Sequence, residues 1–338
     1  MHRDHRFVDL SFSAIADDDS GQPWQRLFAQ LWPAYRSWYL RDGHLARPSF
    51  LACRRALEKH MPEFVERWQQ LVELAGGGDV AARFLSLWCP PAYHSGCSQA
   101  VWPGSEPLLV RNYDYSTRYF DRVILRTHWG PHRVLGTSDC LIGLVDGVND
   151  AGLALSLTFG GRRAVGEGFG VPIVLRYVLE TCSSAPQAAK VLARIPTHMA
   201  YNVTALDVDG RRATVHLAPD KPALVTPAAV ATNHQPGDDH RDHIYQSATV
   251  ERERYLLNRL MLHEETQERF IAAFLRPPLF SLANERERGT LYTAALWPCR
   301  RQISYRWPHT EWTLGVDHFE PGVRQVHYPR EMRAVAVK

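Results

Sequence analysis

The stretch Cys89-Pro90-Pro91-Ala92-Tyr93-His94-Ser95-Gly96-Cys97 separates two regions of different character. Before it, large apolar side chains such as Trp24 and Phe28 recur at helical steps. The two prolines then break the helical pattern. After it, short runs rich in Val, Leu, Tyr and Thr alternate with turn residues, which is typical of strands. The stretch therefore predicts a helical leader over residues 1–96 and a separate domain over residues 97–338.

Hydrophobic periodicity predicts the elements on both sides of this break. Helices are predicted over 22–40, 61–75, 80–88, 171–181, 185–193 and 247–262. Strands are predicted over 108–115, 122–127, 140–145, 153–159, 201–207, 213–217, 291–297 and 300–307. Strands, then helices, then strands again favour a layered α+β fold over a doubly wound parallel sheet.

The bulk properties exclude several classes of protein. The chain has 338 residues and a formal net charge of +3, which is too small to indicate nucleic acid or an anionic membrane as a partner. No apolar run is long enough to span a bilayer, and the polar first residues do not resemble a secretory signal. The six cysteines form no C-x-x-C pair, so the usual zinc spacing is absent and we expect no metal site. Because a secretory signal is lacking, we expect a cytoplasmic location and reduced thiols.

Cys97 is distinguished by the charged residues that follow it inside a strand pattern. Cys97 opens the strand-like region, and fourteen residues later Arg111 and Asp114 stand inside an apolar strand pattern. Buried charges are costly unless they are paired or functional. Positions 111 and 114 have opposite parity, so both reach one site only where the strand twists, bulges or ends.

These residues form part of an ordered signature. Cys97, Arg111-Asn112-Tyr113-Asp114, Gly147-Val148-Asn149-Asp150-Ala151-Gly152-Leu153 and Thr232-Asn233-His234 resemble the isopenicillin-N acyltransferase group, which is related to penicillin V acylases and bile salt hydrolases. The leader segment His60-Met61-Pro62-Glu63 fits the same resemblance. Each motif is short, and their order along the chain carries the likeness. The resemblance implies a four-layer αββα sandwich of the N-terminal-nucleophile hydrolase class.

The resemblance also implies that the chain cuts its own Gly96–Cys97 bond. Cys97 would then carry a free α-amine, whose pKa of about 8 lets it accept the thiol proton. Gly96 has no side chain to obstruct attack on its carbonyl group and permits strained backbone geometry. The leader would become a propeptide or a retained small subunit.

Further roles follow from the same resemblance. Asp114 would orient the Cys97 amine or thiol, and Arg111 would favour the thiolate. Asn233 would donate to the tetrahedral oxyanion, a contact typically worth about 3 kcal/mol. Thr158 would supply a second oxyanion contact, partly from its backbone.

A late arginine completes the signature, and helix phase separates two candidates. At 100° per residue, Arg254 shares a face with Leu257 and Met261, while Arg252 falls on the opposite side. Because an arginine on an apolar face needs a partner, Arg254 is the predicted site residue. Arg252 remains the alternative.

Two other motifs have simpler interpretations. A hairpin turn accounts for Asn149 and Asp150, which we therefore interpret as structural. The segment 238–243, with two histidines and three aspartates, could bind a divalent ion. The preceding Pro236-Gly237 and the lack of an apolar frame favour a solvated loop. We therefore predict neither a metal nor a cofactor.

The leading hypothesis is an amidase or acyltransferase that acts on a small-molecule amide or acyl donor, with an acyl-coenzyme A among the candidates, through an acyl-Cys97 intermediate. A papain-like cysteine–histidine protease is the second hypothesis, and it leaves Arg111, Asp114 and Asn233 unexplained. An inactive binding scaffold is the third. The sequence leaves open whether the protein is a homo-oligomer.

Overall fold

A computed structural model describes residues 7–18, 21–93, 96–117, 119–237, 247–281 and 288–329. Its strands are β1 (Phe7–Asp17), β2 (Gly96–Trp102), β3 (Leu108–Ser116), β4 (Val123–Thr127), β5 (Val134–Asp139), β6 (Gly143–Asn149), β7 (Ala154–Phe159), β8 (Tyr201–Leu206), β9 (Arg212–Ala218), β10 (Lys221–Thr226), β11 (Val230–Ala231), β12 (Arg288–Trp297), β13 (Gln302–Trp307), β14 (Thr310–Gly315) and β15 (Gly322–Pro329).

The α-helices in the same ranges are α1 (Gln22–Tyr39), α2 (Phe50–His60), α3 (Val65–Leu74), α4 (Asp79–Leu85), α5 (Val171–Thr181), α6 (Ala185–Arg194), α7 (Thr249–Leu260) and α8 (Gln267–Phe274). Short 3₁₀ turns lie at His44–Ala46 and Pro62–Phe64. Among these described helices, none combines the length and the apolar character that crossing a membrane requires.

The described strands form two stacked sheets. The nine-stranded sheet has the order β10-β9-β8-β7-β6-β5-β4-β1-β15, and the six-stranded sheet has the order β11-β2-β3-β12-β13-β14. Strands β2 and β3 face β7, and β12 and β13 face β6. Helices α5 and α6 cover the nine-stranded sheet, while α7 and α8 cover β2, β3 and β11. The predicted αββα sandwich is confirmed.

The six-stranded sheet is buried on both faces. Successive side chains of a strand point to opposite sides, so Val101 and Leu109 enter the core between the sheets. Their neighbours Ala100 and Val110 enter a second core beneath α7 and α8. Burial on both faces accounts for the continuous apolar runs in this part of the sequence, and each large apolar side chain buried there contributes about 1.5–3 kcal/mol.

The leader is not purely helical, and that part of the prediction is wrong for residues 7–17. Strand β1 pairs in parallel with β4 and antiparallel with β15, which places it inside the nine-stranded sheet. Leu10, Phe12 and Ala14 are buried at alternate positions, as one covered face of a strand requires. The leader therefore shares one sheet with the rest of the chain.

The predicted strand at 140–145 begins late. Cys140 and Leu141 have positive φ angles of 54° and 66°, so they form the turn between β5 and β6. Strand β6 then runs from Gly143 to Asn149 and includes the first half of the segment expected to be a connection. Elements that fall outside the predicted ranges include α2, α8, β5, β10, β11, β14 and β15.

A chain cut between Gly96 and Cys97 is expected to stay assembled, because β1 lies between two strands that belong to the other fragment. Size-exclusion chromatography of the cut protein should give one peak that contains residues 1–96 and 97–338. The fragments should separate only in denaturant. Elution as two species in native buffer would contradict this expectation.

Candidate active site

Cys97 is fully buried at the start of β2, with its thiol in the space between the sheets. Arg111 Nη2 donates to Cys97 Sγ at 3.3 Å. The other terminal nitrogen, Nη1, donates to Asp146 Oδ2 at 2.9 Å and to the Val145 carbonyl oxygen. Tyr292 OH donates to the same Asp146 oxygen at 2.7 Å. The thiol therefore lies against a guanidinium whose position is set by β6 and β12.

The electrostatic balance at Cys97 differs from the expectation. Burial raises the pKa of the Cys97 thiol, and Arg111 opposes this shift without cancelling it. Burial likewise raises the pKa of Asp114, opposed mainly by the Arg252 guanidinium. In the intact chain the environment of Cys97 thus favours the thiol, although Arg111 is positioned to favour the thiolate.

Arg111 and Asp114 point to opposite faces of β3, as their sequence positions predict, and the site includes both faces. Strand β3 keeps its alternation, so Arg111 points between the sheets and Asp114 points to the opposite face. A register shift lies in the partner strand β12, between Thr290 and Tyr292. There Thr290 Oγ1 donates to Asp114 Oδ1 at 2.7 Å. The site therefore occupies both faces of the sheet at Cys97.

Arg252, on the outer face, and Asn233, which follows the neighbouring strand β11, hold the backbone of Cys97. Arg252 Nη1 donates to the Cys97 carbonyl oxygen at 2.8 Å and to Ser98 Oγ at 2.7 Å. It lies 3.8 Å from Asp114 Oδ2. Asn233 Oδ1 accepts from the Cys97 N–H at 3.0 Å and from Arg252 Nη2 at 2.8 Å. These donors fix the orientation of the Asn233 amide, so its NH₂ is the donating end.

The predicted choice of Arg254 is wrong on geometry, because Arg254 is exposed and Arg252 is buried. The phase argument assumed that Leu257 and Met261 mark the covered face, yet they are 43% and 79% exposed. The covered stripe of α7 is instead partly polar and consists of Thr249, Arg252 and Leu256.

Gly96 is close-packed against the same cluster. A Cβ atom at this position would lie 3.3 Å from Asp114 Cβ and 3.8 Å from Asn233 Oδ1. The φ angle of Gly96 is not positive, so the expected strain is absent. What the glycine provides is space beside the bond that precedes Cys97.

Thr158 has structural contacts. Its hydroxyl donates to the Thr232 carbonyl oxygen at 2.8 Å and accepts from Asn202 Nδ2 at 3.1 Å. The next residue, Phe159, offers its carbonyl oxygen to Asn233 Nδ2 at 3.1 Å. Strand β7 thus helps to place Asn233 through its backbone, and the Thr158 side chain is directed elsewhere.

Sequence reasoning missed three contributors, Asp146, Tyr292 and Thr290. One signal was present: Asp146 is the charged residue of the otherwise uncharged strand Gly143–Asn149, and it is fully buried. A lone charge in a buried strand needs a partner. The partner is Arg111 in the facing sheet, and only the folded structure identifies it.

The interpretation of Asn149 and Asp150 as structural is confirmed. Asn149 Nδ2 donates to the carbonyl oxygens of Leu179 and Cys182. Asp150 accepts from the Arg133 N–H. The segment 238–243 lies outside the described residues, and within them no group of potential ligands could hold a metal ion.

The geometry gives no support to a cysteine–histidine pair. In the described part of the chain, the side chain that hydrogen bonds to Cys97 Sγ is Arg111. The histidine nearest in the signature, His234, bonds through Nδ1 to the hydroxyls of Thr232 and Thr249.

Comparisons with known proteins agree with the signature. A sequence model described as acyl-coenzyme A:6-aminopenicillanic acid acyl-transferase matches residues 101–312, more than half of the chain. The matched range includes Arg111, Asp114, Asn233 and Arg252 and begins four residues after Cys97. No curated protein sequence matches significantly.

Several solved structures resemble the chain at low identity. A mutant of the conjugated bile acid hydrolase from Clostridium perfringens is 13% identical, with a TM-score of 0.47 over 71% of this chain and 99% of that one. The N-acylethanolamine-hydrolyzing acid amidase ortholog of Caenorhabditis elegans is 16% identical, with a TM-score of 0.43 over 68% and 100%. Penicillin V acylase from Agrobacterium tumefaciens is 13% identical, with a TM-score of 0.38 over 65% and 86%. Likeness at this level says nothing of the reaction.

The different environments of the two arginines predict different effects on stability. In a Cys97→Ala background, which lacks the candidate nucleophile, Arg252→Met should lower the free energy of unfolding by about 3 kcal/mol. The change leaves Asp114 without its neighbouring positive charge and the Cys97 carbonyl group without its side-chain donor. Arg254→Met, the matched control on the exposed side of α7, should change it by less than about 0.5 kcal/mol. Urea titrations followed by circular dichroism measure both, and equal effects would contradict the assignment.

Proposed function

Because the chain belongs to the acyl-coenzyme A:6-aminopenicillanic acid acyl-transferase family, we propose that it hydrolyses or transfers acyl groups with the Cys97 thiol as nucleophile. One observation carries this proposal: Arg111 contacts the thiol of Cys97, while Asn233 and Arg252 bind its backbone. A core cysteine needs none of these contacts. Three polar side chains around one buried cysteine are therefore better explained by chemistry than by packing.

The first reaction is proposed to be cleavage of the chain itself. Cys97 Sγ attacks the Gly96 carbonyl carbon, and the Gly96–Cys97 amide is replaced by a thioester between the same carbonyl group and Sγ. Water then hydrolyses the thioester, which frees the Gly96 carboxylate, the thiol and the α-amine of Cys97. Asp114 packs beside this bond and is positioned to bind the new amine.

Catalytic turnover uses the same thiol with a new base. The α-amine takes the Sγ proton, Sγ attacks the substrate carbonyl carbon, and the leaving group departs with that proton. An acyl-Cys97 thioester and a free amine or thiol result. Asn233 Oδ1 accepts from the Cys97 nitrogen and thereby holds the base in place. The Asn233 NH₂ supplies a donor for the tetrahedral oxyanion.

The second half-reaction decides between hydrolase and transferase. Water resolves the thioester in an amidohydrolase, and an amine resolves it in an acyltransferase. Both share the acyl-Cys97 intermediate, so the proposed donor is a small-molecule amide or an acyl thioester, with an acyl-coenzyme A as one candidate.

Self-cleavage is tested by intact mass and N-terminal sequencing of the purified protein. The wild type should yield fragments that end at Gly96 and begin at Cys97, and Cys97→Ala should remain whole because it lacks the nucleophile. Cys53→Ala, the matched change at another fully buried cysteine, should be cut like the wild type.

A thiol-directed acyl probe provides the second readout. The experiment uses a Cys299→Ala background, because Cys299 is the exposed cysteine of the described residues and would itself react. An uncut wild type that also leaves Cys97 unlabelled would favour the inactive scaffold.

Asn233→Ala tests the oxyanion role. Loss of one such donor typically lowers kcat by about 10²- to 10³-fold. With the cut protein and an amide or thioester substrate, we expect a fall in kcat of this size and a smaller change in KM. Steady-state kinetics measure both, and an unchanged kcat would exclude Asn233 from oxyanion binding.

A further inference from the structure

A cavity of about 750 Å³ lies where the leader meets the catalytic sheets. The leader contributes Tyr35 and Trp38 from α1 and Tyr93 from the segment before the scissile bond. The remainder of the chain contributes Tyr115, Asp121 and Asp139. The cavity therefore exists only while both parts of the chain are assembled.

The cavity borders the strand pair that carries the nucleophile. Cys97 is the register partner of Tyr113. The Tyr113 ring stacks on the ring of Tyr115, with centroids 5.7 Å apart, and Tyr115 lines the cavity. Ala92 and Tyr93 also line it and lie a few residues before the Gly96–Cys97 bond. Cleavage of that bond gives this covering segment a free end beside the thiol.

Two carboxyl groups stand in the cavity wall. Asp121 accepts from Tyr35 OH, from Ser138 Oγ at 2.7 Å and from the Leu141 N–H at 3.1 Å. Asp139 is 5% exposed and Asp121 is 6% exposed. Burial raises the pKa of both groups, and the charge of Asp121 raises the pKa of Asp139 further. Two neighbouring buried carboxyl groups keep a proton on one of them unless a cation offsets the second negative charge.

The described lining offers no such cation. Its basic side chain is Arg41, which is 45% exposed, donates to the Ala92 carbonyl oxygen at 3.0 Å and lies 3.7 Å from Asp42. Arg111, which interacts electrostatically with Asp139, is already bonded to Asp146 and Val145. A cationic ligand in the cavity would stabilise the ionised form of this pair.

The aromatic rings of the cavity are also arranged to bind a positively charged ligand. Trp38 contacts Tyr35 and Tyr93 edge to face, with centroids 6.3 and 6.1 Å apart. Tyr115 lines the wall as a further aromatic residue. Aromatic faces attract an ammonium group, and more strongly where water is excluded. Rings on several sides and carboxyl groups in the wall are the two components of an ammonium site.

Building on the proposed function, we propose that this cavity binds an ammonium-bearing part of the substrate, held by the aromatic rings of α1 and β3 and by the Asp121–Asp139 pair. The leader then selects the substrate, since Tyr35 and Trp38 form one wall. We assign the specificity to Asp139, because Asp121 accepts hydrogen bonds from Tyr35, Ser138 and Leu141, whereas the hydrogen bonds to Asp139 come from Tyr35 and the Cys140 backbone.

The test measures binding without chemistry, in the uncut Cys97→Ala chain. Isothermal titration calorimetry compares phenethylammonium with its neutral analogue 2-phenylethanol and with the anion 3-phenylpropionate. We expect the cation to bind at least about tenfold more tightly than the alcohol, and the anion to bind most weakly. Equal binding of cation and alcohol, or tighter binding of the anion, would overturn the proposal.

Two variants then test whether Asp139 causes the preference for the cation over the alcohol. Asp139→Asn should reduce the ratio of cation to alcohol affinity to within about threefold while 2-phenylethanol binding persists, which also shows that the variant is folded. Asp317→Asn, at an exposed carboxylate paired with Arg301, is the matched control and should keep the full ratio. A retained preference in Asp139→Asn would remove Asp139 from the site. The comparison of ligands on the parent chain decides the proposal even where a variant fails to fold.

A final measurement connects the cavity to Cys97. In the cut wild-type protein, phenethylammonium at saturating concentration should slow labelling of Cys97 by the acyl probe, and 2-phenylethanol at the same concentration should not. Binding without protection would separate the cavity from the substrate. An uncut, unlabelled wild type would refute the proposed function and leave the calorimetric result intact, so the two failures are distinguishable.

Discussion

The buried guanidinium of Arg111 is the constraint on which the site depends. A positive charge between two packed sheets is very costly unless it is paired and hydrogen-bonded. Its partner Asp146 comes from the opposite sheet, and Tyr292 from a neighbouring strand donates a hydrogen bond to the same carboxylate. Arg111 thereby ties β3 to β6 and β12, and its other terminal nitrogen is directed at Cys97 Sγ. The charge pair that fixes the spacing of the sheets also fixes the surroundings of the thiol.

The strand geometry divides the tasks at Cys97 between two faces. The thiol projects inward, where Arg111 and the core control its ionisation. The backbone nitrogen is held by Asn233, which follows the neighbouring strand β11, and the carbonyl group is held by Arg252 from the outer face. In the proposed chemistry the nucleophile is a side chain and the base is a backbone amine. Separate residues can therefore position the two groups, and Arg111 and Asp114 can both belong to the site although their side chains point to opposite faces of β3.

Much of this arrangement could be predicted from local sequence. Hydrophobic periodicity located α5 at both ends, and the ordered motifs brought Cys97, Arg111, Asp114 and Asn233 together. The failures share a physical cause, which is dependence on distant partners. Strand β1 is formed by pairing with β4 and β15. The burial of Asp146 is explained by its ion pair with Arg111. Helix α7 buries a polar stripe because the surface on which it packs is polar. Apolar residues such as Leu257 and Met261 mark a buried face only where the receiving surface is also apolar.

The pairing of β1 with β15 joins Phe7 to Pro329, so the first described strand is completed by the last. Contacts this distant in sequence form late, because a large loop must close before they contribute. Asp114 and Asp146 likewise receive Thr290 and Tyr292 from β12, near the end of the chain. A ribosome-bound chain shorter than about 290 residues accordingly lacks two of the side chains that define the surroundings of Cys97. The surroundings of residue 97 are therefore complete only after β12 has been synthesised, long after residue 97 itself.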